Sequence, residues 1–318
     1  MAITKLDERI RLIDGFDLGL EQRTGSYIIQ EQHITIIETG PSPSVQHVVQ
    51  GLKELGIAPE SVRYIIVTHI HLDHAGGAGL LLQQCPNATL IVHPKGARHL
   101  ADPSRLIAGA RAVYGEQFDR LFNPIEAIAE QRMEIKGEGE TLQIGPDCVL
   151  EFWDTPGHAN HHFGIFDPLS NGLFAGDTAG IRYAQLIDDG IEFYLPSTSP
   201  NQFDPQLMTE AINRMKAQQL DVVYFGHFGA TKNPDAALLQ VLDWLDVFVE
   251  QGRKAFEQKE SAETLAERLL GLVKAQLFQA GVDDRHRVMP YIDMDLHVSA
   301  QGLLDYFHKQ SARQDIHK

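Results

Sequence analysis

Cysteine is nearly absent from this chain of 318 residues: Cys85 and Cys148 alone cannot build a disulfide framework. Each has apolar company, Leu81 and Leu82 before Cys85, Val149 and Leu150 after Cys148, and each is expected as a small buried thiol. Long hydrophobic runs are missing too. No stretch approaches the roughly 20 apolar residues that span a bilayer. Residues 1–9 contain no apolar segment of signal-peptide type, so a cytoplasmic protein without a membrane partner is expected. Low-complexity tracts are also lacking, and a hydrophobic content of 43% is that of a folded chain. Positive charge is in deficit: 27 Lys and Arg face 43 Asp and Glu, for a formal net charge of −16. Such a surface repels phosphate backbones, which disfavours nucleic acid as a partner.

What is present begins with short β-branched runs. Tyr27-Ile28-Ile29 and Ile34-Thr35-Ile36-Ile37 read as strands bounded by polar residues and glycine. Val45, Val48, Val49, Leu52 and Leu55 recur at helical spacing, with Ser44 placed to cap and Gly56 to stop. Tyr64-Ile65-Ile66-Val67 is a buried-strand pattern that runs directly toward His69. Residues 75–84 read as a helix and Thr89-Leu90-Ile91-Val92 as another strand. In 104–122 an apolar helical stripe (Leu106, Ile107, Ala110, Val113, Tyr114, Phe118, Leu121, Phe122) predicts an inserted helix, either covering a site or packing on the core. Further strands are expected at 149–153, 163–166, 173–174 and 222–225. From Asn233-Pro234 onward the pattern is helical only, with helices at the Leu238–Val249 stripe, at 262–280 and at 299–309. The expected organisation is a catalytic part, 1–235, and a helical C-terminal extension, 236–318. The extension's apolar faces suit either pocket shaping or a homodimer interface.

The run Thr68-His69-Ile70-His71-Leu72-Asp73-His74 places three imidazoles and a carboxylate within six residues, at the carboxyl end of a strand. Imidazole with carboxylate suits zinc, manganese or iron, whereas an iron–sulfur cluster would need cysteine. On an extended turn His69 and His71 can face one point, and Asp73 with His74 an adjacent one. Three later segments end strand-like runs and set a glycine just before a ligand-type residue: Thr155-Pro156-Gly157-His158, Phe174-Ala175-Gly176-Asp177 and Tyr224-Phe225-Gly226-His227.

The His-x-His-x-Asp-His run followed by strand-end His, Asp and His resembles the metallo-β-lactamase superfamily over roughly residues 25–230, most closely its glyoxalase II-like and lactonase-like branch. The resemblance implies an α/β fold, a four-layer αββα sandwich with metals at one edge between the sheets. It implies two divalent ions, zinc ahead of iron or manganese. His69, His71 and His158 would bind the first, Asp73, His74 and His227 the second, and Asp177 would bridge them. The activity implied is metal-dependent hydrolysis of an ester, thioester, lactone or related small-molecule bond by metal-activated water, with Asp73 orienting the nucleophile or moving its proton.

The alternative is a mononuclear-iron persulfide dioxygenase of the same superfamily, using residues matching His69, His158 and Asp177. Two departures stand out. Glu38-Thr39-Gly40 occupies a position where similar proteins carry Asp, behind the metal loops. Gly180 stands three residues after Asp177, where similar lactonases carry tyrosine, leaving Tyr183 or Tyr194 to reach the site. His161 and His162 have no assigned ligand role and are expected at the surface or behind the ligands. His33, His47, His93, His99, His286, His297, His308 and His317 are expected to be structural or solvated.

Overall fold

The computed structural model of the chain describes residues 3–316; His317 lies outside the described residues. By compactness the chain forms two units. The first runs to Thr155 and takes in His161–Gly176 and Leu220–Pro234, whereas the second comprises Pro156–Asn160, Asp177–Gln219 and everything from Asp235 on.

The first unit carries both large sheets. One has seven strands in sequence order: β1 (Ile3–Lys5), β2 (Ile10–Asp14), β3 (Gly25–Ile29), β4 (Ile34–Ile37), β5 (Val62–Ile66), β6 (Thr89–Val92) and β7 (Met133–Ile135). β1 to β4 pair antiparallel, and β4 to β7 pair parallel. Parallel pairing needs crossovers. Helix α1 (Val45–Glu54) lies between β4 and β5, and α2 (Leu72–Ala75) and α3 (Ala78–Gln84) lie between β5 and β6. Ile13, Ile28, Ile36, Ile65 and Leu90 pack with Val48, Leu52, Leu81 and Leu82 of these helices in one buried cluster.

The second sheet contains β8 (Thr141–Gln143), β9 (Val149–Asp154), β10 (Phe163–Asp167), β11 (Gly172–Gly176), β14 (Val222–Phe225) and β15 (Ala230–Thr231), in the order β15-β14-β11-β10-β9-β8. Tyr27 of β3 meets Phe174 and Tyr224 edge-on, with ring centroids 5.2 and 5.7 Å apart, so the two sheets share a core.

The second unit holds the short pair β12 (Ile181–Arg182) and β13 (Tyr194–Leu195) and helix α7 (Pro205–Ala217). It also holds nearly all of α8 (Pro234–Gln258), and α9 (Ala262–Gln279) and α10 (Met289–Ile316). Among the described residues no helix is long and apolar enough to cross a membrane.

Several local expectations change. Ser44 makes no capping bond from its side chain, because it lies in a 3-10 turn, Ser42–Ser44, that leads straight into α1. The stop is as expected: Gly56 takes φ +71° and donates to the Lys53 carbonyl. Residues 75–84 are not one helix, since α2 ends at Ala75 and α3 begins at Ala78. The 104–122 stripe divides into α5 (Ser104–Tyr114) and α6 (Phe118–Phe122), separated at Gly115, whose φ of +54° no continuous helix contains. The last helix begins ten residues before the expected Ser299. Cys85 and Cys148 are buried and free, and burial pushes both thiols up to about 12.

Candidate metal centre

In the first unit the loop after β5 delivers His69, His71, Asp73 and His74, and the turn after β14 delivers His227. Hydrogen bonds to its carbonyls fix the loop from two sides. Thr68 O accepts from Phe163 N at 3.0 Å, joining it to the start of β10, and the Thr39 hydroxyl donates to His74 O at 2.8 Å. Tyr27 Oη lies 2.6 Å from Phe225 O and 2.7 Å from Gly229 O, which holds the turn that bears His227.

Glu38 is the buried carboxylate behind this loop. Its Oε1 accepts from Thr68 N at 3.1 Å, and its Oε2 stands 3.4 Å from His74 Nδ1. The longer side chain therefore reaches both loop and imidazole. It does so from a left-handed backbone, φ +68°, a conformation that costs a non-glycine residue about 1–2 kcal/mol.

With Glu38 at its Nδ1 side, His74 turns Nε2 toward Asp73 Oδ2, 3.5 Å away, and His227 Nε2 stands 3.7 Å from the same oxygen. The ligand atoms of Asp73, His74 and His227 all lie within 4.8 Å of one another. Metal bonds of 2.0–2.2 Å at tetrahedral angles place donors roughly 3.4 Å apart, so these separations fit a shared cation. Nearby, His69 Nε2 lies 3.1 Å from His71 Nδ1. The His69 ring sits 4.6 Å from that of His71 and 4.2 Å from that of His74. A set of imidazole nitrogens turned together in this way suits a divalent ion.

His161 and His162 are not surface residues. Both are buried, the His162 ring 5.0 Å from that of His69 and the His161 ring 5.4 Å from that of His71. His162 Nδ1 lies 2.8 Å from Thr155 Oγ1. Gly176 (φ +50°) makes room for this imidazole, because a Cβ there would stand 2.4 Å from His162 Nε2.

The second unit brings together the other two expected ligands. His158 Nδ1 donates to Ser197 O at 3.0 Å, which leaves Nε2 as the lone-pair donor, 3.7 Å from Asp177 Oδ2. The Ser197 hydroxyl donates to that same Asp177 oxygen at 3.2 Å. Ser197 had no signature in the sequence, since its main contribution is a carbonyl that any residue carries. Of the tyrosines, Tyr183 is committed elsewhere: its hydroxyl donates to Asp295 Oδ2 at 3.1 Å.

The sequence profile of the metallo-β-lactamase superfamily matches residues 19–227, two thirds of the chain, and the chain belongs to that superfamily. The metallo-β-lactamase fold-containing protein ST1585 of Sulfurisphaera tokodaii is 28% identical over 174 residues, 54% of this chain and 62% of that protein, so the match spans less than two thirds of the relative. The N-acyl homoserine lactonase AttM of Azorhizobium caulinodans is 28% identical over 59% of this chain and 64% of its own length. The crystal structure of ST1585 superposes with a TM-score of 0.66 at 20% identity, covering 93% of this chain and 98% of that one. That of the metallo-β-lactamase family protein TTHA1429 from Thermus thermophilus superposes with 0.67 at 18%, covering 97% and 96%. The α/β fold with two mixed sheets, helices and a helical C-terminal region is thus the metallo-β-lactamase fold.

Proposed function

We propose that this protein is a metal-dependent hydrolase of small molecules that carry an ester, thioester, lactone or related bond. In this reading His69, His71 and His158 hold one divalent ion, Asp73, His74 and His227 a second, and Asp177 is shared between them, with zinc the ion preferred by the donor set. Residues 1–235 form the catalytic part and 236–318 its helical extension. The observation that carries the reading is the convergence of Asp73, His74 and His227 donor atoms within 4.8 Å, the two imidazoles buried and the carboxylate half-buried. The likeness to a lactonase supports the bond class.

Bound divalent ions supply Lewis acidity, which lowers the pKa of coordinated water from about 15.7 toward ~7 and polarises an electrophilic oxygen. The chain's own contributions are orientation and proton handling. Glu38 and Ser197 O fix which nitrogen of His74 and His158 is presented. Asp73 has a side chain 23% exposed beside the nearly inaccessible His74. It is therefore the carboxylate that solvent reaches, suited to orient water and to hold the proton that water gives up.

Metal analysis of the purified protein, paired with a panel of esters, thioesters and lactones, tests the proposal. Two zinc equivalents and turnover of at least one substrate are expected, and Asp177→Ala should lose both metal and turnover. A single iron with oxygen consumption on a persulfide would replace hydrolysis by the dioxygenase alternative. Full activity of a metal-loaded Asp177→Ala would remove the shared-ligand role.

A further inference from the structure

Both residues that the second unit offers to the proposed centre hang from one short segment. Ser197 serves the two at once, its carbonyl accepting from His158 Nδ1 at 3.0 Å and its hydroxyl donating to Asp177 Oδ2 at 3.2 Å. Two residues on, Ser199 Oγ stands 3.5 Å from His158 Nε2.

The last helix runs along this same segment from Ser299 to Lys309, and one turn earlier it holds Tyr183. Asp295 accepts from the Tyr183 hydroxyl at 3.1 Å, and Ser299 O accepts from the Thr198 hydroxyl at 3.0 Å. At Gly302 helix and segment meet backbone to backbone, since a Cβ there would fall 1.8 Å from Thr198 O and 2.6 Å from the Ser199 carbonyl carbon. Asp305 then accepts from Asn201 N at 3.0 Å, and Lys309 donates to Asn201 O at 2.9 Å. Positions 295, 299, 302, 305 and 309 recur at three- and four-residue steps and so share one helix face. Asp295 and Ser299 are buried on it.

We propose that α10 is a positioning brace for the metal ligands His158 and Asp177, acting through Ser197: the contact of Gly302 and Ser299 with Thr198 sets where the Ser197 carbonyl and hydroxyl stand. This rests on the metal-centre reading above. Nothing in the brace touches a reacting atom; it fixes the direction of two donors. Outer partners of this kind alter metal affinity by roughly 10- to 100-fold. A displaced Thr198 would move both donors together because one residue orients both.

The test uses the full chain and Zn2+ as the probe. Gly302→Ala forces the close contact apart, Thr198→Val removes the bond to Ser299, and Thr198→Ser keeps it. Zinc affinity is read by competition with a chromogenic chelator. Imidazole nitrogen and proton resonances of the metal-free protein are read by NMR, that of His158 assigned with His158→Gln. Gly302→Ala should weaken zinc binding by roughly 10- to 100-fold, at both equivalents because Asp177 is shared, and shift the His158 resonance, leaving those of His74 and His227 in the metal-free protein unmoved. Thr198→Val should follow in the same direction, and Thr198→Ser should match the parent; this pair decides the matter if Gly302→Ala does not fold. Zinc affinities within twofold of the parent with an unmoved His158 resonance would overturn the brace, as would an equal shift of all histidines. A parent chain that binds no zinc would fail the metal-centre reading, while the metal-free spectra still judge the brace.

Discussion

Glu38 is the residue at which sequence and structure inform each other most directly. Its divergence from the aspartate of similar proteins was visible in the sequence, but its consequence was not. Only the structure gives Oε1 to Thr68 N and Oε2 to the Nδ1 side of His74. Glu38→Gln replaces one of these acceptor oxygens by a donor group. A loss of about 1–3 kcal/mol in folding stability follows from the mismatched buried contact. Zinc affinity should fall roughly 10- to 100-fold, because His74 loses its carboxylate partner. Denaturant titration and chelator competition measure the two separately, and a variant equal to the parent in both would remove Glu38 from the centre. The histidines and aspartates of the proposed centre stand out in the sequence because they fall in short spaced motifs that follow strand-like runs. Ser197 does not, because a main-chain carbonyl leaves no trace in residue identity; His161 and His162, expected at the surface or behind the ligands, take the second of these places beside His69 and His71.

Among the elements, the inserted α5–α6 segment shows what periodicity can and cannot tell. Its apolar stripe was correctly seen, but Gly115 divides it, and only the second piece is deeply buried. Phe118, Leu121 and Phe122 form a cluster with Leu72, the residue immediately before Asp73. Leu106, Ile107 and Tyr114 of α5 are only half-buried against it. Phe118→Ala should therefore cost about 3–5 kcal/mol, against a smaller loss for Ile107→Ala. The cavity would open behind α2, so zinc affinity should fall with it. Destabilisation with undiminished zinc binding would mean that the insertion packs without supporting the metal loop.

The start of α10 was missed for a related reason. Asp293, Asp295 and His297 interrupt an apolar stripe, yet Asp295 faces inward and is satisfied by Tyr183, 112 residues away in sequence. A polar residue whose partner is that distant reads as exposed until the fold is known.

Across the whole molecule, a net charge of −16 makes acidification reduce self-repulsion, so individual histidines must be judged against the parent curve. Two of them carry opposite signs. His297 of α10 donates from Nδ1 to Asp293 O at 2.7 Å and sets Nε2 3.5 Å from Glu263 on α9. The Asp293 carbonyl, and then the carboxylates of Asp293 and Glu263, hold its pKa above the ordinary 6.5 against partial burial. A raised folded value means that its contribution is complete below pH 6.5 and disappears as pH rises through that value.

His93, at the end of β6, is buried, and burial lowers its pKa despite Asp154 Oδ1 at 3.2 Å. Its Nδ1 accepts from Lys95 N at 3.1 Å, so the neutral ring carries its proton on Nε2. That contribution is complete above pH 6.5 and is lost as pH falls through the lowered value. Denaturation midpoints of metal-free protein between pH 5 and 8 separate the two. Relative to the parent, His297→Gln should be more destabilised at pH 5 than at pH 8, and His93→Gln more at pH 8 than at pH 5. The His297 contrast should shrink in high salt, because that imidazole is partly exposed, whereas the His93 contrast arises from burial and should persist. Equal penalties at both ends of the range for both variants would show that neither histidine links protonation to folding.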